Sequence, residues 1–186
     1  MKTIRIPEEE YLTRAKRAAQ MTAERGLDAL FLFGSEGDFQ NVRYFTSVTP
    51  IWERLGVVIT ASGKAAMLTG PEGLTYCQQY CKLDKVFALN ALRSSMDPIP
   101  GKFRMTSFQD VLTELGVTCK HPKIAIGNPI DTTTVIEQTM HEDLPDAVFS
   151  YAPEIMRVLR AAKSENELAC LRESYRIVQL ATDACL

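Results

Sequence analysis

The feature that most constrains this fold is a nearly continuous apolar run, Leu27 to Phe33, which Gly34 closes. Asp28 is the one polar residue inside the run. Such a run is typical of a strand that other elements cover on both faces. We therefore predict a buried, central strand at this point of the chain.

Strand patterns and helix patterns alternate along the rest of the sequence. The predicted strands lie at 56–60, 64–69, 85–89, 123–126 and 147–151, and the first two form a hairpin across a short turn containing glycine. The predicted helices lie at 8–25, 72–82, 107–115 and 131–143. This alternation indicates an α/β sheet. Residues 93–105, which contain two prolines and a glycine, are predicted to be loop.

Two of these helices carry clear end signals. Pro7 and three glutamates mark the start of the first helix, where carboxylates meet the positive end of the dipole, and Gly26 marks its end. Arg14 lies among the charged residues of this helix that we expect to face water. Ser107 caps the third predicted helix, with Asp110 three residues further on.

The last segment is predicted to be one long helix that begins in a capping box, Ser164 to Glu167. Its apolar face continues towards Leu186 with no terminating glycine, so part of that face still needs cover. We therefore expect a domain at 1–160, and at 161–186 a linker helix that starts a further, carboxy-terminal domain.

Composition narrows the class of protein. The chain has 186 residues, 46% of them hydrophobic, with a formal net charge of -2, so we expect no binding to nucleic acid or to a membrane surface. No apolar run approaches the roughly 20 residues that cross a bilayer, and the start lacks the apolar core of a secretory signal. Five cysteines without a regular spacing favour reduced thiols. We expect a cytoplasmic protein.

The residue types that carry catalysis are sparse. His121 and His141 are the only histidines and form no metal-binding motif, while Cys77 and Cys81 are more simply explained as core residues. The segment after Gly34 lacks the pattern of a phosphate-binding loop, and no serine nucleophile motif occurs. We therefore assign no catalytic residue, metal ligand or cofactor to this chain.

One segment between two predicted strands, residues 41–54, combines aromatic and charged side chains. Tyr44, Trp52 and Arg54 are its most distinctive members. Tryptophan, tyrosine and arginine concentrate at binding hot spots, which makes the segment an interface candidate. The alternative, in which the aromatic residues only pack against the edge of the sheet, stays open.

Three motifs in order give the chain a resemblance to a known family. They are Gly26 to Leu32, the pattern Asn41-x-x-Tyr44-Phe45-Thr46, and Ala161 to Glu167. In this order they resemble the amino-terminal domain of creatinase, prolidase and aminopeptidase P enzymes. The resemblance implies a mixed sheet of about six strands, of ribonuclease-H-like type and flanked by helices. The family often has glycine where this chain has Ser47, so we expect a different local turn there.

The resemblance also implies a function. It makes the chain a non-catalytic domain that shapes the active-site cleft of an Xaa-Pro dipeptidase-like enzyme and mediates oligomerisation, with a homodimer expected. Two divalent metal ions, of manganese, cobalt or zinc, would lie in the carboxy-terminal catalytic domain, which cleaves proline-containing peptides. Trp52, Arg54 and, more weakly, Tyr44 are expected at the rim of a substrate pocket or against a partner subunit. Alternatives are a creatinase-like amidinohydrolase domain that needs no metal, and a free-standing small-molecule-binding or interaction module.

Overall fold

The structure, a computed structural model, describes residues 4–51, 53–94 and 106–185. One sheet contains six strands: β1 (Ala29–Gly34), β2 (Leu55–Thr60), β3 (Ala65–Thr69), β4 (Val86–Ala88), β5 (Lys123–Ile126) and β6 (Val148–Tyr151). The described α-helices are α1 (Glu8–Glu24), α2 (Gln40–Thr46), α3 (Leu74–Tyr80), α4 (Phe108–Glu114), α5 (Thr134–Asp143), α6 (Pro153–Ala161) and α7 (Glu165–Cys185). Short 3-10 turns occur at Asn90–Leu92 and Pro129–Asp131.

The sheet has the strand order β4-β3-β2-β1-β5-β6. β2 pairs antiparallel with both β1 and β3, whereas the pairs β1–β5, β3–β4 and β5–β6 are parallel. Gly63, with φ of 93°, lies in the tight turn of the β2–β3 hairpin. The prediction of a mixed α/β sheet of about six strands flanked by helices is therefore confirmed.

β1 is buried along its whole length because it lies inside the sheet and separates two hydrophobic layers. Leu30 and Leu32 point into the layer formed with α1, α2, α3 and α6, which we call the first face. Phe31 and Phe33 point into the layer formed with α4 and α5, the second face, where both rings contact Phe108. Successive side chains of a strand alternate between faces, so an unbroken apolar run has core on both sides.

The predicted end signals are present in the structure. Glu8, Glu9 and Glu10 form the first turn of α1, and Gly26 follows it with φ of 65°. Ser107 and Asp110 form a complete capping box at the start of α4. At the start of α7, the Ser164 hydroxyl accepts from the Glu167 backbone N–H at 3.0 Å.

The expectation for Arg14 is wrong, because this side chain is buried rather than facing water. Its Nη1 donates to the backbone oxygen of Tyr44 at 2.9 Å, and its Nη2 lies 2.6 Å from Glu10 Oε1 and 3.3 Å from Glu167 Oε1. The guanidinium also lies 4.2 Å from the centre of the Tyr44 ring. Arg14 thus joins α1, α2 and the start of α7.

Two helices lie where no helix was predicted. α2 covers the first part of the aromatic segment, residues 41–46, and α6 begins at Pro153, which occupies a first-turn position. α2 ends at Ser47, whose φ of 65° is left-handed. This left-handed conformation is one that glycine adopts readily and serine adopts less often.

Helix α7 differs from the other helices because it buries none of its residues. Exposed apolar side chains include Leu171, Tyr175, Ile177, Val178 and Leu180. Ser164 and Asn166, at its start, donate to the Glu10 carboxylate. In the part of the chain that the structure describes, no helix is long and apolar enough to cross a membrane. Of the predicted loop, residues 95–105 lie outside the described residues.

Candidate functional site

The chain leaves the two adjacent parallel strands, β1 and β5, towards opposite faces of the sheet. After β1 the chain enters α2 on the first face, whereas after the adjacent β5 it enters α5 on the second face. Where neighbouring connections diverge in this way, a crevice opens at the carboxyl ends of the strands, and ligands of open α/β sheets bind at such points. We call this place the switch-point crevice; Ser35, Asp38, Asn128 and Asp131 lie there.

Asn128 occupies the bottom of the crevice. Its Oδ1 accepts from the backbone N–H of Phe33 at 2.8 Å, and its Nδ2 donates to the backbone oxygen of the same residue. The residue is buried, so both hydrogen bonds are shielded from water. The Asn128 side chain therefore satisfies the last backbone groups of β1 where the main chain of β5 has turned away.

The Ser35 hydroxyl connects the two aspartates of the crevice. It donates to Asp131 Oδ1 at 2.8 Å and accepts from the Asp38 backbone N–H at 3.3 Å. Burial, together with the hydrogen bond and negative charge of Asp131, raises the pKa of Asp38, against the opposing effect of Arg160. Arg54 Nη1 donates to the Asp131 backbone oxygen at 3.1 Å and lies 3.8 Å from Oδ1.

An open cleft of about 430 Å³ adjoins this cluster. It is lined by Ser35, Glu36, Gly37, Glu53, Arg54, Arg93 and Ser94. The Arg54 side chain is 35% exposed, so it reaches the cleft while its guanidinium keeps its contact with Asp131. The lining therefore combines two guanidinium groups and two hydroxyl groups with the carboxyl groups of Glu36 and Glu53.

Glu53 anchors the segment that carries Arg54. Its side chain is buried, with Oε2 accepting from the Gly73 N–H at 2.6 Å and Oε1 from the Glu72 N–H at 3.3 Å. A methyl group at Gly70 would overlap this carboxylate, so the glycine makes room for it. Burial raises the pKa of Glu53 against the two backbone hydrogen bonds, which lower it. The contacts fix residue 53, and through it the start of β2, against the turn before α3.

Of the three predicted site residues, two lie in the described part of the chain, and their surroundings differ. Arg54 lines the cleft, as described, whereas Trp52 lies outside the described residues. Tyr44 is buried in the first-face core, where its hydroxyl donates to the backbone oxygen of Leu159 at 3.1 Å. No described contact joins Tyr44 to Arg54. Burial raises the pKa of the Tyr44 hydroxyl, which keeps this group a neutral donor.

The described histidine and cysteine side chains do not form a metal-binding cluster. His121 is exposed and lies near the backbone oxygen of Asp146, and the His141 ring packs at a tilt against the Phe149 ring, with 4.3 Å between the centroids. Burial raises the pKa of the Cys81 thiol to about 11, which opposes nucleophilic chemistry at neutral pH. Among the described residues, no group of three or more His, Cys, Asp or Glu side chains is arranged to hold a metal ion.

Asp38 and Asp131 were not singled out from the sequence. Each follows a strand, Asp38 after β1 and Asp131 after β5, and polar residues at such positions are a usable signal. The signal becomes specific only when β1 and β5 are known to be neighbours, and the order of strands in the sheet supplies that information.

Solved structures share this fold along most of the chain. An Xaa-Pro dipeptidase from Bacillus anthracis superposes with a TM-score of 0.65 at 18% identity, over 94% of this chain and 42% of that enzyme. A prolidase from Pyrococcus horikoshii OT3 gives 0.64 at 13% identity, over 92% and 42%. The N-terminal domain of the cytoplasmic peptidase PepQ from Mycobacterium tuberculosis H37Rv gives 0.56 at 16% identity, over 80% of this chain and 98% of that domain.

The chain therefore has the fold of the amino-terminal domain of creatinase/prolidase-type enzymes. Within that class it is similar to the corresponding domains of prolidases, PepQ and aminopeptidase P, as the sequence motifs predicted. It spans 42% of the length of the Pyrococcus horikoshii prolidase. The sequence itself matches no family model and no curated protein.

Proposed function

We propose that this chain is the non-catalytic, amino-terminal domain of an Xaa-Pro dipeptidase or aminopeptidase P-like hydrolase. In this proposal it shapes the active-site cleft of a cytoplasmic enzyme and takes part in forming a homodimer. The proposal rests on the share of each solved structure that this chain matches. The chain accounts for 98% of the separate N-terminal domain of PepQ but for only 42% of a complete Xaa-Pro dipeptidase.

Helix α7 supports a further, covering domain. Contacts of Ser164 with Glu10 and of Glu167 with Arg14 fix the start of α7 on α1, while apolar side chains from Leu171 onwards are exposed. A patch of this kind is typical of an interaction surface. We assign residues 1–160 to the amino-terminal domain and 161–186 to the linker and the start of the catalytic domain.

In this proposal the catalytic domain would perform the hydrolysis. There, two divalent metal ions, of manganese, cobalt or zinc, would supply the Lewis-acid activation needed to hydrolyse a peptide bond before proline. In this proposal the contribution of the present chain is to bind and orient the substrate. A creatinase-like amidinohydrolase would use the same amino-terminal fold without metal.

Arg54 is the residue that we propose for substrate contact. It is anchored on one side by the Asp131 backbone oxygen and exposed on the other to the cleft. A guanidinium held in this way can pair with a substrate carboxylate at an active site completed by a partner subunit. The burial of Tyr44 favours the packing role for that residue, so we do not place it at the pocket.

The test compares two arginine variants in the full-length enzyme. Arg54→Ala should raise KM for an Xaa-Pro dipeptide by about tenfold, the value of a charge-assisted hydrogen bond. Arg25→Ala is the matched control, because the Arg25 side chain is similarly exposed, at 32%, and forms an ion pair with Glu154 at 3.1 Å. Arg25 precedes the amino end of β1, whereas the cleft lies at its carboxyl end. Equal kinetics for the wild type and Arg54→Ala would remove the assignment.

A free-standing small-molecule-binding domain is the second candidate, and the open cleft favours it. In that case the isolated chain should bind small carboxylates and show a raised Tm in their presence, since a ligand of the folded state stabilises it. The hydrolase-domain proposal predicts no such shift, and no cleavage of Xaa-Pro dipeptides by the isolated chain with added manganese, cobalt or zinc. Cleavage by the isolated chain would overturn the proposed division of labour.

A further inference from the structure

α6 and α7 meet at a bend formed by residues 162–164. Ala162 is extended and exposed there, so the helical hydrogen bonds of α6 do not continue into α7. α6 is fixed in the core of the first face by Ile155, Met156 and Leu159, whereas α7 buries none of its residues. The direction in which α7 leaves the domain therefore depends on the contacts of its first turn.

Two residues of α2 bind the last turn of α6. Asn41 Oδ1 accepts from Arg160 Nη1 at 2.8 Å, and the Tyr44 hydroxyl donates to the backbone oxygen of Leu159 at 3.1 Å. The last carbonyl groups of a helix have no partner within the helix, so Tyr44 satisfies one of them. Asn41 and Tyr44 are both buried, and they are the first and fourth residues of the sequence motif in this segment. The motif therefore marks where α2 contacts the end of α6.

The Glu10 carboxylate of α1 binds the first turn of α7. Its Oε1 accepts from the Ser164 hydroxyl at 2.7 Å, and its Oε2 accepts from Asn166 Nδ2 at 2.8 Å. Arg14, one turn further along α1, places Nη2 2.6 Å from Glu10 Oε1 and 3.3 Å from Glu167 Oε1. Hydrogen bonds of this kind are strengthened by charge, and these are partly shielded from water. A carboxylate and a guanidinium of α1 thus bind the start of α7 together.

Arg14 and Tyr44 connect the two sides of the bend. The Arg14 guanidinium donates to the Tyr44 backbone oxygen at 2.9 Å and lies 4.2 Å from the centre of the Tyr44 ring. Tyr44 therefore contacts α6 through its hydroxyl, and it contacts Arg14 through its ring and its backbone oxygen. Both residues are buried. A continuous series of contacts runs from the end of α6 through these two side chains to the start of α7.

We propose that Glu10, Arg14, Asn41 and Tyr44 form a brace that fixes the angle between α6 and α7. With this brace, α7 leaves the domain in one direction although none of its residues is buried. Tyr44 is then a positioning residue for α7 rather than a residue of a substrate pocket. The brace is a property of this chain and does not depend on the proposed function. Where the proposed function holds, the brace also sets the direction in which the catalytic domain follows.

The experiment measures backbone residual dipolar couplings of the 186-residue chain by NMR. These couplings report how α7 is oriented relative to the sheet and how far it moves. In the wild type, the couplings of α7 should fit the alignment of the sheet with an order parameter of about 0.85, the value of a rigid backbone. A wild-type order parameter for α7 below about 0.6 would overturn the proposal, since that value is typical of a flexible segment.

Glu10→Ala tests the α7 side of the brace. It removes the acceptor of Ser164 and Asn166, so the order parameter of α7 should fall below about 0.6 while the couplings of the sheet stay unchanged. Glu154→Ala is the matched control, because it removes an ion pair with Arg25 at 3.1 Å but lies at the start of α6, away from the bend. The control should keep α7 as rigid as in the wild type.

A rigid α7 in Glu10→Ala would contradict the proposal. The direction of α7 would then be set by other contacts, such as association of its exposed apolar side chains with a second copy of the chain.

Tyr44→Phe tests the α6 side of the brace. It removes the hydroxyl that binds the Leu159 backbone oxygen and keeps the ring beside Arg14. Loss of one buried hydrogen bond should make the backbone amides in the last turn of α6 exchange with solvent about threefold to tenfold faster, with the amides of the sheet unchanged. Equal exchange rates in the wild type and this variant would remove Tyr44 from the brace. If Glu10→Ala does not fold, the wild-type couplings and this exchange measurement decide the question.

Discussion

Replacement of Arg14 by leucine tests whether one buried guanidinium holds three helices together. The wild-type side chain is 7% exposed and bridges Glu10 and Glu167, whose side chains are 15% and 19% exposed. Leucine fills part of the volume and makes none of the polar contacts. It leaves the Tyr44 backbone oxygen without its donor and two carboxylates without their shared cation.

The expected magnitude follows from these losses. Removal of one partner from a buried ion pair typically costs about 3 to 5 kcal/mol, because the other charge stays buried. Glu10 keeps hydrogen bonds from Ser164 and Asn166, which favours the lower end. We expect a loss of about 3 kcal/mol in the free energy of unfolding. For a chain of this size that corresponds to a Tm lowered by roughly 6 to 12 °C.

The assay is urea denaturation at neutral pH, followed by circular dichroism. Arg17→Leu is the matched control, because Arg17 lies on the exposed side of the same helix and should change the free energy of unfolding by less than about 0.5 kcal/mol. If Arg14→Leu lowers the free energy of unfolding by less than about 1 kcal/mol, the reasoning is refuted. Such a loss would be close to that of the control and typical of a surface substitution.

The pH dependence gives a second check on Arg14. Burial opposes ionisation of Glu10, but hydrogen bonds from Asn166, Ser164 and Arg14 outweigh it, so the pKa of Glu10 lies below its usual 4.5. A carboxyl group with a lowered pKa stabilises the fold above the unfolded-state value and loses that contribution as pH falls through the folded-state value. The difference in the free energy of unfolding between the wild type and Arg14→Leu should therefore become smaller as pH falls.

Three further substitutions should change the free energy of unfolding, each measured in urea. Ser107→Ala removes the capping box of α4 and should cost about 1 kcal/mol. Ser47→Gly relieves a left-handed serine and should gain about 1 kcal/mol, so a loss would show that the side chain itself is needed. Gly70→Ala displaces Glu53 from two N–H donors and should cost about 2 kcal/mol, whereas Gly37→Ala, with 3.8 Å of clearance, should be nearly neutral.

Most of the fold could be predicted from the sequence because most of its elements carry local signals. The unbroken apolar run predicted β1, and the predicted strand at 123–126 has the bounds of β5. α2 was missed because Phe39 gives it no side-chain cap, whereas Ser107 and Asp110 mark the start of α4, a helix of the same length. Val42 and Phe45 of α2 pack in the core of the first face. Contacts of that kind are not visible in a short stretch of sequence.

The candidate site was less predictable than the fold. Arg54 was singled out by residue type and lines the cleft, whereas its contact with a substrate or a partner subunit stays a prediction. Arg14 was misjudged because a charged residue on a helix is usually solvated, and two of its partners, Tyr44 and Glu167, lie 30 and more residues away. Asp38 and Asp131 are close only because β1 and β5 are neighbours, and a single sequence does not reveal the order of strands.

The Asn128 amide has a consequence for which residues this position tolerates. A primary amide can replace a peptide group in both directions, because it offers one acceptor and one donor at the right spacing. Aspartate would keep the acceptor and lose the donor, and leucine would offer neither group to the buried main chain of Phe33. A saturation library at position 128 should therefore return folded protein almost only with asparagine, whereas the side chain at position 33 should accept other large apolar residues.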